Sequence, residues 1–554
     1  MRKQRLHRLA AAVLSAAVCA AALAGCGSGQ VVDKSSASGA GSGGTDSIIR
    51  VTGSGTAAVD PGVVADYVSS QALVNVYDTL VFPQAGGKVK PWIATGWDAS
   101  PDGLTYTFHL KTDVKFHSGN SLTAKDVVYS LTRAQTIGQG YGYLFTNVKS
   151  AAAKDDSTVA FTLKQPNGTF LDTLIRLYIL DSKLMQEKTQ AGGKYGSNGD
   201  YGTTFLLDAD AGSGPYKVKE VKKESYTLCE KFDGYWNGWS EGAPKQFKII
   251  DTSDGTTVRT MMNNKELEIS DQWQTNENLT SLAGIPGVKI ASIFDLNHLD
   301  MMLNNKKAPT DDLYFRKALI AMMDYGQLQK LYPGSKIASG PVAADVAGHD
   351  AGIPAAKQDL ALAKQYLSKS KYAGELSKYP VEILWNSDVP DQEKIVLLLQ
   401  SSAQKLGVSI KSKKAPWLSY TNLMAKVDTT PNGVIMYNEP NFNDAGSMLQ
   451  VRYGEKTTGT WQQGEWLQSS DLSGRIDKAM QIADVSERYA EYAKLQKEIV
   501  NGIAPTLSLL DPPERRAYAA DRIEWPAAEA AAKGEPVCGE MGYLFYFHDF
   551  KVKS

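Results

Sequence analysis

The chain has 554 residues, of which 43% are hydrophobic and 21% are charged, and this composition is typical of a globular protein. Its 59 Lys and Arg residues nearly balance its 60 Asp and Glu residues, and no basic cluster is present, which argues against a nucleic-acid partner. A chain of this length exceeds what one simple core accommodates, so two or three lobes are expected.

The N-terminus has the pattern of an export signal. Four basic residues within the first eight precede an apolar stretch from about Leu9 to Leu23, and small residues then lead to Cys26. A cysteine at this point resembles the lipobox of bacterial lipoproteins, which implies that Cys26 is acylated and becomes the mature N-terminus. The alternative is an ordinary signal peptide that happens to contain Cys26.

Residues 27–46 are nearly all Gly, Ser, Ala and Thr. Such a composition buries no apolar surface and behaves as a flexible coil, with a reach of about 25 Å for roughly 20 residues. No later segment has 18 or more consecutive apolar residues. We therefore expect a globular body that is exported and held at the outer face of the membrane by a lipid anchor alone.

The remaining cysteines and the histidines give little support for a metal site. Cys229 and Cys538 are the two cysteines beyond the signal and the lipobox, and outside the cytoplasm they either pair or stay free. Neither cysteine lies in a CxxC motif, and the six His are scattered, so we expect neither a metal centre nor a cofactor.

The block from Pro91 to Ala134 is the best-defined part of the body. Turn residues precede a strand-like run from Leu104 to Leu110, which is followed by a second turn. Thr123 then predicts a helix start, because Asp126 stands three residues later in the capping-box position. The block is predicted to be a hairpin that leads into a helix.

This block closely resembles a segment of the family-five extracellular solute-binding proteins, which deliver peptides and other solutes to ABC importers. Three further blocks resemble that family in the same order: residues 212–216 with 232–237, residues 303–319, and residues 495–505. The resemblance covers about residues 47–554. His117 falls within the first block, where the family pattern implies a framework role.

The resemblance implies an α/β fold with two lobes, of the type II periplasmic-binding-protein kind, and an extra subdomain in the first lobe. Lobe I would comprise residues 47–293 and 507–554, and lobe II would comprise residues 294–506. The local pattern agrees with an α/β fold, because helical stretches alternate with strand-like runs. The helical stretches are at about 357–369, 391–406 and 475–502, and the strand-like runs include Val381–Trp385 and Val434–Tyr437. A hinge would close the lobes over solute.

The resemblance also suggests where solute would bind. The segment beginning at Tyr437 resembles a cleft segment that, in peptide-binding members, starts with an Asp for the peptide ammonium; here that position is Met436. Either Glu439 or Asp444 could substitute for that Asp. Aromatic and amide side chains near predicted strand ends complete the candidates. The full candidate set is Trp273, Trp385, Asn386, Trp417, Tyr437, Asn438, Glu439, Asn443 and Asp444.

Several functions remain open at this point. An oligopeptide receptor that acts as a monomer with an ABC importer permease is the leading hypothesis, and a receptor for a neutral oligosaccharide is the second. A third is a serine hydrolase, because residues 238–242 match G-x-S-x-G with Ser240 as nucleophile, although turn residues stand where that motif requires a strand. Nickel transport is a remote fourth, since His is scarce.

Overall fold

The structure is a computed structural model that describes residues 47–553. The predicted signal, Cys26 and the linker at 27–46 lie outside these residues. Within them, no helix has the length and apolar character needed to cross a membrane. The described chain is mixed α/β, as the sequence predicts.

The strands are numbered in chain order. They are β1 Ile48–Gly53, β2 Val81–Gln84, β3 Lys88–Pro91, β4 Ala94–Ala99, β5 Thr105–Leu110, β6 Val148–Ala153, β7 Thr158–Leu163, β8 Tyr216–Lys222, β9 Tyr226–Lys231, β10 Gln246–Asp251, β11 Val288–Ile293, β12 His298–Leu303, β13 Lys336–Ile337, β14 Val381–Asn386, β15 Ile410–Ala415, β16 Gly433–Asn438, β17 Thr506–Asp511, β18 Glu514–Ala519, β19 Ile523–Glu524 and β20 Lys551–Val552.

The α-helices are numbered in the same way. They are α1 Tyr67–Val76, α2 Ala124–Ile137, α3 Phe170–Thr173, α4 Ser182–Lys188, α5 Gly255–Asn263, α6 Asn276–Ala283, α7 Leu313–Met322, α8 Tyr325–Leu331, α9 Leu360–Lys369, α10 Asp391–Gln404, α11 Trp417–Met424, α12 Ala445–Tyr453, α13 Ser470–Gln481, α14 Val485–Glu498 and α15 Pro526–Lys533.

Two four-stranded sheets are built from the first half of the chain. One has the order β1-β10-β9-β8, with β1 parallel to β10, and its core includes Phe247 together with Trp525 and Phe547 from the C-terminal segment. The other has the order β4-β5-β7-β6 and is antiparallel throughout, with Phe108 and Phe161 in its core. The C-terminal segment thus returns to the first sheet.

A six-stranded sheet contains the middle of the chain, in the order β13-β17-β12-β16-β14-β15. All six residues of the central strand β12 are buried, as expected for a strand that is covered on both faces. Strands β14, β15 and β16 are parallel to one another, whereas β12 is antiparallel to β16 and β17.

Two chain connections run side by side between the sheets. Strand β11 pairs antiparallel with β18, and β12 pairs antiparallel with β17, so residues 294–297 and 512–513 connect the same two pairs of strands. The shorter connection is Pro512-Pro513, whose two rings fix both φ angles.

The local predictions for the hairpin block and the central strands are confirmed. The predicted strand is β5, and α2 begins after Thr123 with the capping box formed: the backbone N–H of Thr123 donates to Oδ2 of Asp126 at 2.8 Å. The predicted helical stretch at 475–502 is helical in the structure but interrupted. The stretch is divided into α13 and α14, because Asp484 caps a new helix by accepting the N–H of Glu487.

Candidate functional site

A cavity of about 350 Å³ lies at one edge of the six-stranded sheet. Parallel strands β14 and β16 end there, which brings Asn386 and Tyr437 to the same edge. Residues that follow β1, together with the start of α1, form another part of the wall. One wall of the cavity therefore comes from segments next to the sheet that contains β1, and the other comes from the six-stranded sheet.

Six aromatic side chains account for much of the apolar lining. The ring centroids of Trp417 and Tyr420 lie 6.0 Å apart, and those of Trp417 and Trp461 lie 5.7 Å apart. On the other side, the rings of Trp273 and Tyr437 are 5.1 Å apart, and Tyr67 is the sixth aromatic residue. Such walls suit apolar and flat ligand groups, and also cations that stack on ring faces.

The charged groups of the cavity wall are all acidic. Asp66, Asp388 and Glu439 line it, and no Lys or Arg among the described residues does. Asp66 accepts the backbone N–H of Ser69 at the start of α1, and Asp388 accepts the backbone N–H of Trp417. Within residues 47–553 no group donates a hydrogen bond to the Glu439 carboxyl, so this acid is the free one.

The pKa of Glu439 is raised to about 8, chiefly by burial and then by the nearby carboxylate of Glu514, while Arg176 and Arg516 oppose the shift. Glu514 itself is engaged, because it accepts the hydroxyl of Tyr67 and Nε of Arg516. A third acid, Asp295, has a pKa well above its usual range for the same reasons, burial first. Within residues 47–553 Glu439 forms no ion pair, and the two arginines act on its pKa only at longer range.

A smaller chamber of about 60 Å³ adjoins the cavity, and Gln272, Trp273, Val389 and Tyr437 line both spaces. The remaining walls of this chamber come chiefly from the two side-by-side connections and from the loop after α8. They include Asn297, Tyr332, Ser335, Pro512, Pro513, Glu514 and Arg515.

Five of the nine predicted residues line the large cavity: Trp273, Asn386, Trp417, Tyr437 and Glu439. Four do not. Trp385 lies in the core beneath α10, where its indole N–H donates to Ser412 at 2.9 Å, because successive strand residues point to opposite faces. Asn438 likewise faces inward and donates to Asp300 at 2.8 Å.

The side chains of Asn443 and Asp444 form hydrogen bonds with backbone N–H groups at the start of α12 and near it. Oδ1 of Asn443 accepts the backbone N–H of Ala347, and Asp444 caps α12 by accepting the N–H of Gly446 at 2.8 Å. Of the two acids that could substitute for the acid replaced by Met436, only Glu439 reaches the cavity. Met436 itself lines the cavity and packs with Tyr420.

Four further residues line the cavity without having been predicted from the sequence: Tyr67, Tyr420, Trp461 and Gln272. Tyr420 has a local signal in the sequence, because it stands three residues after Trp417. The two side chains are therefore one helical turn apart and point to the same side of α11. Tyr67 and Gln272 had no local signal, because they approach the site from other strands and helices.

Ser240 and His117, the other residues that the sequence brought forward, do not line the cavity. Ser240 is exposed in a turn between β9 and β10, so the strand-to-helix elbow that a hydrolase requires is not formed there. His117 is buried, with Nδ1 2.6 Å from Asp210 and Nε2 2.8 Å from the carbonyl of Gly214, which fits a framework role. Residues 47–553 contain no group of three or more His, Cys, Asp or Glu that could hold a metal ion.

The two body cysteines are free thiols rather than a disulfide. Cys229 is completely buried in β9, and Cys538 donates to Oε2 of Glu540 at 2.9 Å. Burial is the main cause that raises the pKa of each thiol well above its usual range. Of the two outcomes that the sequence left open, the structure has the unpaired one.

The family model of the bacterial extracellular solute-binding proteins, family 5 middle region, matches residues 88–460. The probable D,D-dipeptide-binding periplasmic protein of Escherichia coli is 26% identical over 458 residues, which are 80% of this chain and 85% of that protein. Heme-binding protein A of Haemophilus influenzae is 24% identical over 526 residues, or 89% of this chain and 92% of that protein.

Solved structures share the fold. A periplasmic binding protein of an ABC transporter from Helicobacter pylori, in complex with the peptide STSA, superposes with a TM-score of 0.78 at 22% identity. The match covers 92% of this chain and 98% of that one. The oligopeptide-binding protein AppA of Bacillus subtilis, in complex with a nonapeptide, gives a TM-score of 0.75 at 19% identity and covers 92% and 99%.

Proposed function

Because the chain belongs to the bacterial extracellular solute-binding proteins of family 5, we propose that it captures a short peptide in the cavity and delivers it to an ABC importer. The observation that carries this proposal is the free Glu439 carboxyl in an aromatic cavity that no basic side chain lines among the described residues. Relatives named for dipeptide binding support the choice of ligand class.

Glu439 would receive the peptide's α-ammonium. A buried carboxylate is stable only with a counter-charge or several hydrogen bonds, and the protein supplies Glu439 with neither at close range. An incoming ammonium would provide the missing charge, and the rings of Trp417 and Trp461 would cover the peptide's side chains. Glu439 would therefore take the role of the acid that Met436 replaces.

The test is a binding measurement with two compound libraries. We expect di- to tetrapeptides to raise the melting temperature, since a ligand at 100 times its dissociation constant adds about 2.7 kcal/mol, and neutral oligosaccharides to leave it unchanged. The Glu439→Gln variant should lose most of the peptide response. The matched control is Glu241→Gln, which changes an exposed acid in a turn. Stabilisation by oligosaccharides alone would refute the proposal.

The two lobes would be residues 47–293 with 507–554, and residues 294–506. The side-by-side connections at 294–297 and 512–513 support this division, because the six-stranded sheet is built between them. Closure about these connections would reduce the radius of gyration when peptide is added, and small-angle X-ray scattering measures it.

The lipid anchor at Cys26 would hold this receptor near its permease, with residues 27–46 as the tether. The observation that supports the anchor is the sequence pattern before Cys26. We expect Cys26→Ser to release the protein from membranes or to block its processing. Normal processing with retention at the membrane would contradict the anchor.

A further inference from the structure

The outer face of the sheet β1-β10-β9-β8 belongs to none of the hydrophobic cores of the described chain. Successive strand residues point to opposite faces, and the inner face, with Phe247, packs into a core. The apolar side chains of the outer face are partly exposed and lie outside every core: Ile48, Tyr226, Leu228 and Ile250. A partly exposed apolar surface among charged residues is typical of an interaction site.

The same outer face has more basic than acidic residues. The strand registers bring Arg50, Lys248 and Glu220 into one row across the sheet, and Lys217 and Glu230 into the next. The basic residues of the face are Arg50, Lys217, Lys219, Lys222 and Lys248, and the acidic residues are Glu220 and Glu230. These residues come from separate strands, so the excess of positive charge is not visible as a basic run in the sequence.

The carboxylates at this face do not neutralise its cations. Glu230 is shared, because Nζ of Lys217 lies 3.1 Å and Nζ of Lys219 lies 3.4 Å from its two carboxylate oxygens. Glu268, which lies beside β1, is likewise shared by Arg50 and Arg522.

Lys222 and Lys248 form no ion pair in the part of the chain that the structure describes. Nζ of Lys248 instead lies 3.5 Å from the ring centroid of Tyr226. Its pKa is lowered, chiefly by burial and then by the charges of Arg50 and Lys222, while Glu220 opposes the shift. The face therefore keeps an uncompensated positive charge that an anionic partner would complement.

The chain enters the body at this same face. The predicted linker ends at residue 46, and β1 begins at Ile48, whose side chain lies on the outer face. With a reach of about 25 Å, a linker from an acylated Cys26 would keep β1 close to the lipid head groups. A basic surface that is held there comes within the short range over which anionic lipids attract Lys and Arg.

We propose that the outer face of the sheet β1-β10-β9-β8 docks on an anionic phospholipid surface, the one into which Cys26 would be anchored. This inference rests on the proposed anchor and adds an electrostatic contact to it. The lysine ammonium groups would reach the lipid phosphates, while the apolar side chains between them would lie at the level of the head groups. Docking would give the receptor a fixed orientation on the membrane.

The experiment labels lysines of the full-length protein, purified from membranes, on two kinds of vesicle. One kind is phosphatidylcholine alone, and the other is equal parts of phosphatidylcholine and phosphatidylglycerol. A water-soluble acetylating reagent modifies exposed lysines, and mass spectrometry gives the rate at each. We expect Lys222 and Lys248 to react at least about 3-fold more slowly on the anionic vesicles. Salt at about 0.5 M should remove this protection, since the Debye length then falls to about 4 Å.

Two sets of lysines serve as controls. Lys411 and Lys414 are exposed on β15, in the six-stranded sheet, and should react equally on both vesicles. The triple variant Lys217→Gln, Lys219→Gln and Lys222→Gln should abolish the protection of Lys248. The matched triple variant Lys405→Gln, Lys411→Gln and Lys414→Gln removes the same charge from exposed positions elsewhere and should keep that protection.

Flotation of the vesicles separates the anchor from the face. Protein that floats with both kinds of vesicle supports the anchor, and the labelling rates then decide on the face. Flotation with anionic vesicles alone would support the face and overturn the anchor, and flotation with neither would overturn both. Equal labelling of Lys248 on the two vesicles, equal protection of Lys411 and Lys414, or protection that appears only when a permease is added would overturn docking on lipid.

Discussion

Arg133 and Asp60 form a buried ion pair in which two parallel N–H···O hydrogen bonds each measure 2.7 Å. The side chains are 1% and 5% exposed, and Nε of Arg133 also donates to the carbonyl of Tyr201. The pair ties α2 to the segment between β1 and α1, two parts of the chain that are 73 residues apart.

The first prediction concerns this pair. Asp60→Asn removes the carboxylate and leaves the Arg133 charge buried without compensation, which typically costs about 3 to 5 kcal/mol. We expect the free energy of unfolding in urea to fall by that amount. Asp98→Asn, at an exposed pair with His109, serves as the control and should leave the unfolding midpoint unchanged. Equal midpoints for both variants would contradict the structural role of the pair.

The second prediction concerns the cysteines. Because Cys229 and Cys538 are unpaired and their thiol pKa values are raised mainly by burial, an alkylating reagent should react with them slowly in the folded protein. After unfolding without a reductant, both should react completely. Mass spectrometry of the alkylated peptides measures this. Labelling of the unfolded protein that requires prior reduction would indicate a disulfide instead.

The third prediction concerns the aromatic wall. Trp417 is 39% exposed and packs against Tyr420 and Trp461, so Trp417→Ala removes a ligand contact at little cost to the core. We expect peptide affinity to fall about 3- to 10-fold, which corresponds to roughly 0.5–1.5 kcal/mol for an aromatic contact. The neighbouring Leu418 is more exposed and does not line the cavity, so Leu418→Ala is the matched control. An equal loss of peptide affinity in both variants would contradict a ligand contact at Trp417.

The sequence predicted local structure better than it predicted the site. The capping box of α2 and strands β5, β14 and β16 were accessible because each depends on neighbouring residues. The burial of Trp385 could not be predicted in this way, since it depends on which face of β14 the helix α10 covers. The break between α13 and α14 was also missed, because an apolar period alone does not reveal a cap at Asp484.

The site is assembled from distant segments, and this limits what a sequence can reveal. Glu439 and Glu514 are 75 residues apart by their numbers, yet in the fold the carboxylate of Glu514 raises the pKa of Glu439. No spacing rule in the sequence brings Tyr67 and Gln272 to the cavity that Glu439 lines. Family resemblance predicted that the segment around Tyr437 lies at the site. Only the structure shows that Glu514 is paired with Tyr67 and Arg516, which leaves the Glu439 carboxyl free.

The last prediction follows from the pKa of Glu439, which burial raises to about 8. Below pH 8 the free protein holds this carboxyl protonated, but an ammonium binds the carboxylate, so binding must release the proton. Peptide affinity should therefore rise with pH between 6 and 8, approaching a tenfold gain per pH unit at the acid end.

Calorimetry at pH 7 in two buffers of different ionisation enthalpy should detect the release of nearly one proton per peptide bound. In Glu439→Gln, both the proton release and the pH dependence should disappear, because the amide does not titrate. Glu241→Gln should behave as the wild type does, since that acid is exposed in a turn. A pH-independent affinity in the wild-type protein would show that Glu439 is not the group that receives the ammonium.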